Sequence, residues 1–294
     1  MTDISRGYPG NEWVTMNRHR GAATVATLLE MNALTEQRVV VTVETPAPHV
    51  RLVTFRRPEA RNAINGAVAQ ALDQIVRDLE QDPDAWVVVL TGSGGQAFCS
   101  GADLKEVARG NLGALWTTEG GFAGFVRACR SKVWIAAVDG FALAGGFEIA
   151  LACDLIVASV DATFGLPEVR RGLIAAAGGL YRLPRSLPRA VAYELIATGE
   201  RLGAERALAL GLINRVVPKD RTLVEALALA DIIACNAPIA VRESLKIARR
   251  TFDLDDAALA RLSEEGQQRV MRTEDFQEGP RAFIEKRTPR WVGR

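Results

Sequence analysis

Two carboxylates stand out by the company they keep. Glu148 lies in the run Ala144-Gly145-Gly146-Phe147-Glu148-Ile149-Ala150-Leu151-Ala152, whose pattern predicts a helix entered at the two glycines. Three and four residues away on such a helix stand Ala144, Gly145, Leu151 and Ala152, so no cation pairs with it. A charge in that setting is either solvated or buried for a task, because burying it unpaired is costly. Glu168 follows 168 − 148 = 20 residues later, just after Pro167 in Phe164-Gly165-Leu166-Pro167-Glu168. By itself it reads as a helix-start glutamate. Facing one cleft, the two carboxylates could hold a water, one drawing a proton from it and the other protonating carbon. The entrance at Gly145 presents free backbone N–H groups, and a second entrance at Ser100-Gly101-Ala102-Asp103-Leu104-Lys105 does the same. Alone, each is most simply a capped helix, yet such donors also suit an anion or a developing oxyanion.

Other chemistries find little material. The only histidines are His19 and His49, which leaves almost nothing for a His-ligated metal or a Ser-His-Asp engine. Cys99, Cys129, Cys153 and Cys235 lie far apart with no CxxC pair, so neither a disulfide framework nor a zinc site is expected, and a reduced cytoplasmic compartment fits. Lys and Arg number 36 against 35 Asp and Glu, a net charge of +1 that carries no electrostatic case for nucleic acid. The longest apolar run, Phe141 to Ala158, is broken by Glu148 and Asp154, so no membrane span is expected. The N-terminus has no apolar stretch of the signal-peptide kind. Gly92-Ser93-Gly94-Gly95-Gln96-Ala97 matches a dinucleotide fingerprint after a strand, but Ser100-Gly101 breaks the chain where a helix should open, so a plain turn is the better reading.

The elements that must position these groups follow from periodicity. Residues 1–36 show no sustained period and are expected to form a poorly ordered leader. Two β-branched runs, 39–45 and 50–55, predict an antiparallel pair, and Asn65 opens an amphipathic helix through Val68, Leu72, Ile75, Val76 and Leu79. Trp86-Val87-Val88-Val89-Leu90 reads as a buried strand, followed by a glycine-rich loop and a short helix from about Ala102. A helix near 115–130, a strand at 133–138, a loop at 139–144, the helix from Gly145 and a strand at 155–158 complete a β-then-α rhythm. Beyond Pro184 the pattern turns helical over 188–198, 203–210, 220–235, 239–252, 255–272 and 276–287, interrupted by one β-like segment from Ile213 to Val217. The chain therefore divides into an α/β core, 37–185, and a helical region, 186–294, with no linker between them.

The order and spacing of several motifs resemble the crotonase, or enoyl-CoA hydratase/isomerase, superfamily over about 39–287. They are Arg57-Pro58-Glu59-Ala60-Arg61-Asn62-Ala63-Ile64, Phe98 through Glu106, Val138-Asp139-Gly140 through Glu148, Cys153-Asp154, Phe164 through Glu168, Gly178-Gly179 with Arg182-Leu183-Pro184, Thr198 through Arg201, and Glu278-Gly279 with Phe283 through Arg287. The resemblance implies a crotonase-like α/β spiral of β-β-α units with a C-terminal α-helical trimerisation region, and an acyl-CoA thioester as ligand. It implies further that the backbone amides of Ala102 and Gly145 form an oxyanion hole and that Glu148 and Glu168 are the catalytic pair. Ser100, Asp103, Leu104 and Lys105 would line the coenzyme A, with Phe283 and Lys286 completing that site, in a homotrimer or a hexamer of two trimers. The implied reaction is reversible hydration of a trans-2-enoyl-CoA without metal or redox cofactor, coenzyme A being part of the substrate. A double-bond isomerase or a specialised hydroxyacyl-CoA dehydratase is the alternative chemistry, and a non-catalytic or RNA-binding member is the alternative of another class. Within 107–127, Gly110, Gly113, Gly120, Gly121 and Gly124 point to a mobile cover for the acyl tail.

Overall fold

A computed structural model describes residues 39–294, and residues 40–294 form one compact unit. The leader expected over 1–36 lies outside the described residues. The described residues open with an antiparallel pair, β1 (Val41–Ala47) and β2 (Val50–Phe55), and continue into α1 (Gly66–Gln81). The side chain of Asn65 caps α1 by accepting from Val68 N at 3.0 Å, while Val68, Ala69, Leu72, Val76 and Leu79 face inward at helical spacing.

Three turns of a spiral follow, each giving one strand to a large sheet and one to a small sheet. They are β3 (Val87–Gly92) with β4 (Ala97–Cys99), β7 (Val133–Val138) with β8 (Phe141–Leu143), and β9 (Leu155–Ser159) with β10 (Thr163–Gly165). A two-residue hairpin, β5 (Trp116–Thr117) and β6 (Gly121–Phe122), lies between the first two turns. With β11 (Arg201–Gly203) and β12 (Arg215–Val217) the sheets close as β1-β2-β3-β7-β9-β12 and β11-β10-β8-β4. The central strands are parallel, and β7 is apolar along its whole length because both faces are covered. Val88, Leu90, Trp134, Ala136 and Ile156 point into one core, and Val87, Val89, Ile135, Ala137 and Val157 into a second.

The helices inserted in the spiral are α2 (Leu104–Ala108) and α3 (Gly145–Ala152), followed by α4 (Gly179–Ser186), α5 (Arg189–Thr198) and α6 (Ala204–Ala209). Then come α7 (Thr222–Ala234), α8 (Pro238–Ala248), α9 (Asp256–Val270) and α10 (Glu274–Ile284). Ala226 and Ala230 of α7 are fully buried in the second core, so the helical region is continuous with the sheet. Among the described residues no single helix is long and apolar enough to cross a membrane.

Two expectations need correction. The helix near 115–130 is absent: the segment forms the β5–β6 hairpin and tight turns, with Gly121, Ala123 and Gly124 at φ +69°, +58° and +66°. Interior glycines each cost a helix about 1 kcal/mol, and here they permit close packing, since a Cβ on Gly120 or Gly124 would strike backbone. Residues 121–126 are buried, which makes this half of the expected mobile cover part of the core. The loop expected over 139–144 also contains β8, one of four three-residue strands, with β4, β10 and β11, that build the small sheet and are too short to show a period of two.

Candidate active site

The spiral stacks the two helix entrances side by side. Ile64 pairs with Ala102 in a parallel bridge, with Ile64 N donating to Gly101 O and Asp103 N donating to Ile64 O, both at 2.8 Å. These bonds use the groups flanking Ala102, so the Ala102 N–H points away from Ile64, and no acceptor takes it among the described residues. The Gly145 N–H, at the first position of α3, is equally free. Gly101 brings the two together: its φ is +96°, and a Cβ there would lie 2.9 Å from Ala144 Cβ and 3.0 Å from Gly145 N. Ala144 itself sits at φ 51°, ψ −130°, a conformation that costs a non-glycine residue on the order of 1–3 kcal/mol. It is held there by donating to Gly165 O at 2.9 Å, while its own carbonyl accepts from Phe147 N and Glu148 N. The strain is therefore located where α3 must begin with its amides aimed outward.

Glu148 lies one turn after Gly145 and is 3% exposed. Its Oε1 accepts from Gly179 N, the first residue of α4, at 2.8 Å. Burial pushes its carboxyl up to about 7; the Gly179 amide opposes that rise, the charge of Glu168 adds to it, and Arg182 opposes it. Glu168 sits in the 3-10 turn Pro167–Arg171, is 9% exposed, and is likewise raised, chiefly by burial. Its Oε2 is buried and has no hydrogen-bond partner among the described residues. The turn is tethered by Arg170, whose Nε donates to Thr198 O at 2.9 Å and whose Nη2 pairs with Glu200. Apolar side chains press on the two glycines flanking Glu148: Leu166 and Ala175 against Gly179, and Phe122 against Gly145. Burial disfavours the charged form of both carboxyls, and the charge of Glu168 adds to that effect on Glu148. Such a pair can accept a proton from water and deliver one nearby while two amides hold a developing oxyanion.

The remaining candidates divide. Ser100 N donates to Arg61 O at 3.1 Å, fixing the approach to Ala102. The Asp103 carboxylate is already engaged: Oδ1 accepts from Lys105 N at 3.0 Å, and Oδ2 pairs with Arg57 at 2.9 Å, which holds the carboxyl below its ordinary range against the effect of burial. Its side chain steadies the Ala102 loop, and Arg57, not singled out as functional from the sequence, is the missed partner. Leu104 and Lys105 are exposed beside it. Phe283, 85% exposed, and Lys286 project from the end of α10, and no hydrogen bond or ion pair joins either side chain to the carboxylates. No local sequence pattern marks Gly179 as the donor that holds Glu148 from 31 residues away.

Comparison with known proteins shows the family. The family described as enoyl-CoA hydratase/isomerase matches residues 47–294. The chain is similar to mevalonyl-coenzyme A hydratase of Aspergillus fumigatus, 41% identical over 85% of this chain and 93% of that protein. It is 41% identical to carnitinyl-CoA dehydratase of Proteus mirabilis over 82% of this chain and 94% of that one. Among solved structures, an enoyl-CoA hydratase from Mycobacterium tuberculosis superposes with a TM-score of 0.83 at 43% identity, covering 87% of this chain and 99% of that one. A carnitinyl-CoA hydratase from Mycobacterium avium superposes with a TM-score of 0.70 at 46% identity, covering 88% and 100%. With the spiral of β-β-α turns, the paired free amides and the buried carboxylates in place, the chain belongs to the enoyl-CoA hydratase/isomerase family.

Proposed function

We propose that this protein catalyses the reversible addition of water to a trans-2-enoyl-CoA, giving a 3-hydroxyacyl-CoA. The observation that carries the reading is the buried pair Glu148 and Glu168, with an unpartnered Glu168 oxygen, beside the free amides of Ala102 and Gly145. The thioester oxygen accepts from Ala102 N–H and Gly145 N–H and takes on negative charge as water adds. One such donor is worth about 2.7–4 kcal/mol in a transition state of this type. Glu148 removes a proton from water as its oxygen bonds to C3, and Glu168 gives a proton to C2. Proton exchange between the two carboxyls restores the starting form. No electrons change hands, so the reaction as written calls for no redox cofactor.

Coenzyme A is assigned to the surface around Ser100, Asp103, Leu104 and Lys105, with Asp103 acting through the loop it fixes. Phe283 and Lys286 are assigned to the CoA of the same or a neighbouring chain in a homotrimer or a pair of trimers. The exposed Phe283 and the exposed Lys286 ammonium support that assignment. The cytoplasm, fatty-acid or related acyl-CoA metabolism, and an absence of nucleic-acid and membrane partners complete the proposal. A dehydratase or hydratase of a specialised hydroxyacyl-CoA is the second reading, favoured by relatives that bear mevalonyl-CoA and carnitinyl-CoA in their names. A panel of enoyl-CoAs of different length and branching, followed by loss of the conjugated thioester absorbance, separates the two. Turnover of straight-chain substrates supports the first, turnover confined to polar or branched ones the second, and tight binding with no turnover a non-catalytic member.

A further inference from the structure

Arg182 is outside the carboxylate pair, yet its guanidinium grips both sides of the site. Nη2 donates to Val126 O at 2.6 Å and Nη1 to Ala177 O at 3.2 Å. The first acceptor ends the packed turns 121–126, whose Phe122 ring lies against Gly145. The second belongs to Ala177-Gly178-Gly179, the turn whose last amide holds Glu148 Oε1. Arg182 also bonds this turn through its own backbone, N to Gly178 O at 2.9 Å. Gly178 is shaped for the arrangement: it has φ +120°, and a Cβ there would collide with Arg182 Nη1.

We infer that Arg182 is a positioning residue for the proposed hydration, tying the turn that holds Glu148 to the segment that covers the Gly145 amide. The inference rests on the hydration reading for its functional sense. A planar guanidinium serves two carbonyls in fixed directions, which a lysine ammonium on a flexible stem does not reproduce. Its charge matters as well. Around Glu148 the charged groups are Glu168, from the turn 167–171, and Arg182, from α4. The strands β4 and β8 packed on α3 add only Cys99, and α3 itself runs into Cys153; burial pushes both thiols up to about 12, so they stay neutral. Among the described residues, Arg182 is the cation that opposes the effects of burial and Glu168 on Glu148.

The test reads Glu148 and the two segments directly, without turnover. Carboxyl-13C NMR titration, with the Glu148 signal identified by its loss in Glu148→Gln, is run on wild type, Arg182→Lys and Arg182→Gln. Amide hydrogen exchange is measured at 177–179 and 121–126 on the same proteins. The Glu148 midpoint is expected to rise by about one pH unit in Arg182→Gln and to stay near wild type in Arg182→Lys. Exchange in both segments is expected to quicken about tenfold in each variant. Absence of either change overturns the inference; should Arg182→Gln fail to fold, unchanged exchange in Arg182→Lys overturns it alone. Failure of wild type to hydrate any enoyl-CoA, with these changes present, removes the functional reading and leaves the hold of Arg182 on the turn standing.

Discussion

At the scale of single residues, the site sets a needed protonation state against stability. Burial raises Glu148 to about 7, and a base toward water must be ionised. The hydration rate at low substrate is therefore expected to rise as pH increases through about 7, on an acid limb belonging to the Glu148/Glu168 pair. A flat profile from pH 5 to 8 would remove Glu148 from that role. The same burial costs stability, with a definite sign. A carboxyl raised from 4.5 to about 7 binds its proton more tightly folded than unfolded, so its contribution falls as pH climbs from 4.5 to 7 and is most unfavourable above that. Glu148→Gln, which keeps an acceptor for Gly179 N–H, should therefore melt higher than wild type at pH 8, by on the order of 1–3 kcal/mol. The gain should shrink toward nothing near pH 4.5, and equal melting of the two proteins at pH 8 would count against the buried charge. The sequence disclosed that Glu148 lacks a cation at helical spacing, because that is local. Its amide donor and its unpartnered neighbour depend on the turns at 177–179 and 167–171, which no local pattern encodes.

At the scale of elements, the free amides of Ala102 and Gly145 come together because β4 and β8 run side by side and hand over to the loop before α2 and to α3. The long elements were legible from periodicity: α1 from its cap at Asn65, and β3 and β7 from unbroken apolar runs that only a sheet covered on both faces requires. The small sheet was not, since its strands have three residues each and are defined by their neighbours. Gly101 is where the two helix entrances meet. With φ +96° and a Cβ position 3.0 Å from Gly145 N, Gly101→Ala is expected to push the two amides apart. The turnover number should fall about 10²–10³-fold with a smaller change in KM, as for loss of an oxyanion donor. Melting should also fall, by roughly 1–3 kcal/mol for the forced backbone. Steady-state kinetics beside calorimetry checks this, and a variant with wild-type turnover would show that the amide pair tolerates displacement and is not the oxyanion site.

At the scale of the whole molecule, the proposal reaches past one chain. Phe283 and Lys286 resemble CoA-binding positions, yet both are exposed at the end of α10, a placement that the trimer proposal explains by a neighbour's substrate. Lys286→Ala is then expected to raise KM more than it lowers turnover, and to do so less at high salt, because a phosphate contact acts alike on ground and transition states. An unaltered KM at low salt, or an active monomer by light scattering, would detach the C-terminus from the site. The molecule is proposed to catalyse water addition through two carboxylates. The most direct test is the hydration rate of an accepted trans-2-enoyl-CoA by wild type, Glu148→Gln and Glu168→Gln, with binding of the saturated acyl-CoA measured in parallel. Losses of about 10²–10⁴-fold are expected in each variant with binding nearly unchanged, and hydration near the wild-type rate in either one would overturn the two-carboxylate mechanism.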